Sequence, residues 1–426
     1  MLRFLRPGIN VKRWVLSIIF GIFLLLLFFV MAFGDELQFL FSIIGRQLST
    51  LFQLTPGQYG GKLVIELVLF LAGLVLLILG FTRVGNFLVD AVVPEKKGRI
   101  ASLLFKRMDQ SHAPSVVVLG GGSGLNSLLR GLKSHTSNIT SIVSVADEGS
   151  HSRKIRNEFG LLPPGDIRNC IVALSDSGPL MAKLLEYRFS EGKELKGHNI
   201  GNLLITALSR ITGSFEKGVE ETGKILAIRG RVLPVSLGAT HLCAELDNGK
   251  VIREEPNVEV HKTKYKSEVK RLFLDPQVHG YKPSIDAINQ ADIIVIGPGS
   301  VYTSILPTIL VKGIPEAIAA SKAKKVYVCN VMTQPGETDR YDAEAHVRRI
   351  VQYLGDGVLD YVIVNNERAP DQLYQKYKEE GATRVKYDDG SLDKYDVQVV
   401  SAPLMTKEDL LRHDPEKLAK TVMGLV

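Results

Sequence analysis

The sequence predicts an α/β protein: a mostly parallel sheet with helices on both faces, preceded by two transmembrane helices. Three observations predict it. Two long, nearly uncharged apolar runs lie near the N-terminus, each flanked by basic residues. From Val116 onward, short β-branched runs alternate with helical stretches. Where several of those runs end, glycine gathers with polar residues.

At 426 residues, 45% apolar and 23% charged, the chain has material for a packed core and for more than one domain, which excludes a disordered protein. A net charge of +7 suits an anionic partner without choosing among lipid, nucleotide and nucleic acid. Cys170, Cys243 and Cys329 are too scattered for a metal clip and odd in number for a disulfide framework, so they read as buried thiols in a reducing compartment.

Residues 1–93 read as a membrane anchor. The run 14–33 carries no charge and is long enough for a hydrocarbon core of about 30 Å, which is too long for a signal peptide. The second span, 63–81, is broken only by Glu66. Arg3, Arg6, Lys12 and Arg13 precede the first span, and Arg83, Lys96, Lys97 and Arg99 follow the second, so both termini and the main domain belong on the cytoplasmic side of the plasma membrane. The connector 34–62 would lie outside, with an interfacial helix between Leu37 and Leu54. Residues 94–114 form a basic juxtamembrane linker suited to anionic lipid.

Residues 115–426 read as the cytosolic domain. Val116–Leu119 is a strand, Gly120–Gly124 a tight loop, and Leu125, Leu128, Leu129 and Leu132 one face of a helix. A second strand over Ser141–Ala146 completes a β-α-β unit, whose ligands bind at the carboxyl edge of the sheet. Further strands are expected at 232–235, 292–296, 325–329, 361–364 and 397–400, with helices at 301–311, 315–321 and 343–354. Asp247-Asn248-Gly249 marks a hairpin between Leu242 and Ile252.

The polar loops are the candidate site. Gly121, Gly122, Ser123 and Gly124 let backbone N–H groups and a helix N-terminus approach a phosphate. Asp147, Glu148 and Ser150 suit a ribose or hydrated Mg²⁺, and Arg156 suits phosphate oxygens. Gly165, Asp166, Arg168 and Asn169 open a helix. Asp166 there reads either as an N-cap or as a ligand contact, while Arg168 opposes the helix dipole unless an anion is near. Gly297, Gly299, Ser300, Tyr302 and Thr303 repeat the logic of the first loop, and Asn330 and Thr333 offer groups that read a base or sugar. His198, Asn199 and Asn202 form another polar glycine cluster, in which His198 reads more readily as structural than as catalytic.

In combination and order, Gly120 to Leu125, Pro163 to Asn169, Gly297 to Ser304 and Asn330 to Thr338 resemble the YvcK-like gluconeogenesis-factor family of the CofD-like superfamily. The resemblance covers Val116 to the C-terminus. It implies a Rossmann-like fold, binding of a UDP-sugar such as UDP-N-acetylglucosamine, and a regulatory role in bacterial carbon flux, envelope supply and cell shape. Implied partners are that nucleotide, membrane lipid, envelope-synthesis proteins and a second copy of the chain, with nucleic acid not among them. Most relatives lack an N-terminal hairpin, so membrane attachment is read from this sequence. CofD is similar in fold and is a Mg²⁺-dependent 2-phospho-L-lactate transferase, so the enzymatic alternative is a transferase with Asp147 and Asp166 as catalytic and metal-binding candidates. Two segments depart from the family pattern: Asp147-Glu148-Gly149-Ser150-His151-Ser152, where relatives show two aspartates, and His198-Asn199-Ile200-Gly201-Asn202. A nicotinamide dinucleotide is a third reading, supported by Asp147 and weakened by the incomplete glycine fingerprint.

Overall fold

The computed structural model describes residues 11–33, 59–92, 113–146, 159–192, 195–259, 261–406 and 411–426. The chain divides into two compact units, Met1–Lys106 and Arg107–Val426. The readings for the external connector and most of the basic linker lie outside the described residues.

In the first unit, α1 (Val11–Phe33) packs against α2 (Tyr59–Val92). Two glycines allow the approach. A Cβ at Gly21 would lie 3.0 Å from the Gly73 carbonyl oxygen, and one at Gly73 would lie 3.1 Å from that of Gly21. The rings of Phe28 and Phe70, 5.1 Å apart, close the same seam. Leu16, Phe20, Phe23, Leu26, Val75 and Phe81 are exposed. Among the described residues one stretch, Val68–Gly85, is long and apolar enough to cross a membrane, while the apolar stretch of α1, Leu16–Phe28, is shorter. The second helix extends beyond the expected span at both ends.

The second unit is built on a seven-stranded sheet made of β1 (Val116–Gly120), β2 (Ile139–Val143), β3 (Arg231–Pro234), β7 (Ile293–Ile296), β8 (Lys324–Val328), β9 (Tyr361–Asn365) and β10 (Gln398–Ala402). Their order is β10-β9-β8-β7-β1-β2-β3, all parallel. Every residue of β1, β2 and β7 is buried, which requires helices over both faces and explains why these strands read as continuous apolar runs. Outside this sheet, β4 (His241–Leu246), β5 (Val251–Arg253) and β6 (Val269–Asp275) form a three-stranded antiparallel sheet. The expected hairpin is β4–β5, turned at Gly249 with φ of +81°. Its third strand, β6, was not foreseen.

Two expectations are corrected. The second strand ends at Val143, not Ala146, because its pairing with β1 ends at Gly120; the chain then turns, with the Ala146 N–H donating to Ser144 Oγ at 3.2 Å. The helix expected over 301–311 starts as a π-helical turn, Val301–Ile305, followed by a short helix Leu306–Ile309.

The helices that position the site are α3 (Gly122–Leu132), after β1; α4 (Gly165–Leu174); α5 (Pro179–Glu186); and α6 (Ile200–Thr212). Beyond β8 lies α7 (Ala343–Leu354), with the boundaries the sequence predicts. Cys170, Cys243 and Cys329 are buried thiols outside any disulfide, and burial pushes the Cys170 and Cys329 thiols up to about 12.

Candidate functional site

The strand order places β1 between β2 and β7, with the chain progressing outward in opposite directions on either side. That is the topological switch point at which doubly wound sheets open a crevice beyond their carboxyl ends. Both glycine loops stand there, one after β1 and one after β7, and they interlock backbone to backbone. A Cβ at Gly124 would strike the Pro298 carbonyl, and one at Gly299 would lie 3.3 Å from the Gly121 oxygen. Gly122 has φ of +68°, a conformation that favours glycine.

A cleft of about 520 Å³ opens at this point. Gly122, Gly124, Gly299, Ser300, Thr303, Asn330 and Thr333, all expected from the sequence, line it. Asn330 fixes the second loop: its Nδ2 donates to the Gly299 oxygen at 2.7 Å, and its Oδ1 accepts from the Gly299 N–H at 3.0 Å. Thr333 is held by Thr383, whose N–H donates to its Oγ1 at 2.8 Å. A π-helical turn at the base of the cleft fits a ligand site, where such turns concentrate.

Asp166 reaches the first loop from α4. Its carboxylate occupies the space a Cβ of Gly121 would need. The helix starts at Gly165 with Pro164 in the capping position, so Asp166 stands inside the first turn and the N-cap reading is corrected. There the helix dipole favours its negative charge. A carboxylate held against a phosphate-suited loop fits Mg²⁺, which takes one or two carboxylates together with substrate phosphates. Among the described residues no group of three metal-ligating side chains is present.

A second group forms one turn further along α4. Arg168 Nη2 donates to Asn169 Oδ1 at 2.6 Å, and the Arg168 stem packs on Gly201, where a Cβ would lie 2.8 Å from Cδ. Asn199 caps α6 by accepting from the Asn202 N–H at 3.2 Å. His198, Asn199 and Asn202 are buried, which places them in the fabric of this corner. Asp147, Glu148, Ser150 and Arg156 lie outside the described residues, as does the Ser123 side chain.

Tyr302 corrects the sequence reading. It is fully buried, its hydroxyl is 2.7 Å from that of Tyr341, and its ring packs on His261, so it points into the interior. Its backbone N–H serves Glu337 instead.

Glu337 and the C-terminal wall were not singled out from the sequence. Glu337 is fully buried, accepts from Ser300 Oγ at 2.6 Å and from the Tyr302 N–H at 2.6 Å, and burial pushes its carboxyl up to about 7 against the pull of those hydrogen bonds. Tyr377, Glu380, Leu411, Arg412 and His413 also line the cleft. His413 is buried, which pushes its imidazole down to about 4. Arg412-His413 follows no glycine and belongs to no regular strand, so its one signal was a pair of basic residues in a stretch without periodicity.

With this geometry in place, comparison with known proteins is direct. The family model described as 2-phospho-L-lactate transferase CofD matches residues 116–405. A putative gluconeogenesis factor of Clostridium acetobutylicum is 37% identical over 99% of this chain and 91% of its own length. The gluconeogenesis factor of Bacillus subtilis is 44% identical, covering 74% of this chain and 98% of its own. A crystal structure of a UPF0052-family protein from Bacillus halodurans is 43% identical, with a TM-score of 0.70, and covers 73% of this chain and 99% of that one. The match across 99% of the chain shows that the N-terminal region has a counterpart in at least one relative. Similarity over the whole second unit, in sequence and in fold, shows that the chain belongs to the CofD family, alongside the bacterial proteins called gluconeogenesis factors.

Proposed function

We propose that this protein is a membrane-tethered regulator that binds a UDP-sugar, UDP-N-acetylglucosamine, and links carbon metabolism to envelope synthesis and cell shape. The observation that carries the ligand class is the cleft at the switch point, lined by two interlocked glycine loops, the second braced by Asn330, and by the hydroxyls of Ser300, Thr303 and Thr333. Loop N–H groups and the α3 N-terminus serve a diphosphate, and the hydroxyls of the lining serve a base or sugar. The link to carbon metabolism follows the relatives called gluconeogenesis factors. For the tether, the supporting features are the exposed apolar faces of α1 and α2, which water does not favour, and the basic residues flanking both helices. On this reading residues 1–93 are the anchor, 94–114 the juxtamembrane linker and 115–426 the cytoplasmic domain.

Calorimetric titration of the full chain with UDP-N-acetylglucosamine, with NAD as the comparison ligand, tests the reading. Micromolar binding, about −8 kcal/mol, selective over NAD is the expected result. Preference for NAD, or binding of neither, overturns it. Membrane fractions should retain the full chain through alkaline carbonate washing, and release by that wash would remove the tether.

The placement of Asp166 against the first glycine loop favours one second reading, a Mg²⁺-dependent transferase of the kind for which the family model is described. Bound Mg²⁺ would neutralise phosphate charge. Product formation that requires Mg²⁺ and is lost in Asp166→Asn would establish it over a purely regulatory role.

A further inference from the structure

Ser300 Oγ has more close polar neighbours than one hydroxyl proton can serve. It lies 2.6 Å from Glu337 Oε1, 2.7 Å from Oε2 and 2.5 Å from Thr303 Oγ1, and it accepts from the Thr303 N–H at 3.1 Å. Glu337 Oε1 is also taken by the Tyr302 N–H. Ser300 and Thr303 both line the cleft, whereas Glu337 is fully buried behind them.

Counting protons gives two arrangements. With Glu337 ionised, Ser300 O–H turns inward to the carboxylate and Thr303 O–H donates to Ser300 Oγ, so the Thr303 hydroxyl offers the cleft only lone pairs. With Glu337 protonated, its O–H donates to Ser300 Oγ, Ser300 O–H donates to Thr303 Oγ1, and the Thr303 proton is released toward the cleft. In the second arrangement Ser300 Oγ accepts two hydrogen bonds and donates one, which is its full capacity, and Oε1 remains free to accept from Tyr302.

We propose that Glu337 is a positioning residue that, through Ser300, decides whether Thr303 meets the ligand as a donor or as an acceptor, so that a phosphate-bearing ligand binds together with one proton. The proton comes from solvent: ionised protein, ligand and H⁺ give the protonated complex, with no other bond made or broken. Burial is the main cause of the carboxyl's shift to about 7, so both states are populated near neutrality. The charged groups around Glu337 oppose each other, Glu259 raising its proton affinity and Lys262 lowering it. This inference rests on the ligand reading above only in that the ligand carries a diphosphate.

The test is calorimetric titration of the full chain at pH 6 and pH 8 in buffers of different ionisation heat. UDP-N-acetylglucosamine and NAD are the probes, because the diphosphate diesters of both are fully ionised over this range. Wild type should take up about half a proton or more per ligand at pH 8 and close to none at pH 6, with affinity falling about tenfold between them. Glu337→Gln fixes a donor toward Ser300. It should bind at pH 8 as tightly as wild type at pH 6, without proton uptake, whereas a residue holding the loop for structural reasons alone would give weaker binding at both. Thr303→Val should lose affinity in either background. Absence of buffer-dependent heat in wild type at pH 8, or a Glu337→Gln variant that binds poorly at pH 6, overturns the proposal. NAD binding with proton uptake, without UDP-N-acetylglucosamine binding, upholds it while discarding the uridine ligand; binding of neither overturns both.

Discussion

The carboxylate of Asp166 fills the position that a side chain at Gly121 would take. Gly121 has an extended backbone, with φ of −166°, so nothing in its conformation demands glycine; the neighbour does. Gly121→Ala should therefore destabilise the second unit by about 1–3 kcal/mol through overpacking. Asp166→Ala should relieve part of that loss when combined with it. A double-mutant cycle by urea unfolding checks the coupling, and additive effects would show that the two side chains do not compete for this space.

Asn330→Ala removes two hydrogen bonds to the backbone of Gly299 and leaves both backbone groups to find new partners. A stability loss of about 1–3 kcal/mol is expected, with weaker ligand binding because the second glycine loop is no longer held. Asn330→Asp, which keeps the acceptor but sets an ionised oxygen against the Gly299 carbonyl oxygen where the donor stood, should lose at least as much as alanine.

Tyr302→Phe should leave ligand affinity unchanged while lowering stability by about 1 kcal/mol, the net value of its hydrogen bond with Tyr341. A fall in affinity without a fall in stability would return Tyr302 to the ligand site.

His346 is buried on α7, with Nδ1 2.7 Å from the Asp342 carbonyl oxygen, and burial pushes its imidazole down to about 4. Its folded proton affinity is below the unfolded one, so the unfolded chain takes up the proton first. The stability this residue contributes is present above about pH 6.5 and is lost as pH falls toward 4, by roughly 3 kcal/mol. His346→Asn keeps a donor to the Asp342 carbonyl and should flatten the dependence of stability on pH between 6.5 and 4, measured by urea unfolding.

Strand existence was legible because the central strands are buried on both faces, and continuous apolar runs as short as Val116–Leu119 and Ile293–Ile296 suit a doubly covered strand better than a helix. Strand ends were less so: pairing with β1, not composition, stops β2 at Val143. Glycine loops were legible as well, since close backbone approach needs missing side chains, as at Gly124 against Pro298. Side-chain direction was not. Tyr302 and Thr303 are neighbours in one motif, yet the π-helical turn sends one into the interior and the other to the cleft. Glu337 escaped because its burial depends on packing behind Ser300, and the wall at Arg412-His413 because it comes from a segment with no local periodicity.

The pairing of β1 with β7 also orders events in time. Ser115 and Asp292, joined at the start of these strands, are 177 residues apart. A ribosome adding roughly 5–20 residues per second finishes the first glycine loop about 10–35 seconds before the second emerges. During that interval β1, buried along its whole length in the finished sheet, waits with one edge unpaired. Nascent chains stalled before residue 330 should not resist protease, and a chaperone that masks an apolar strand edge should find its substrate here.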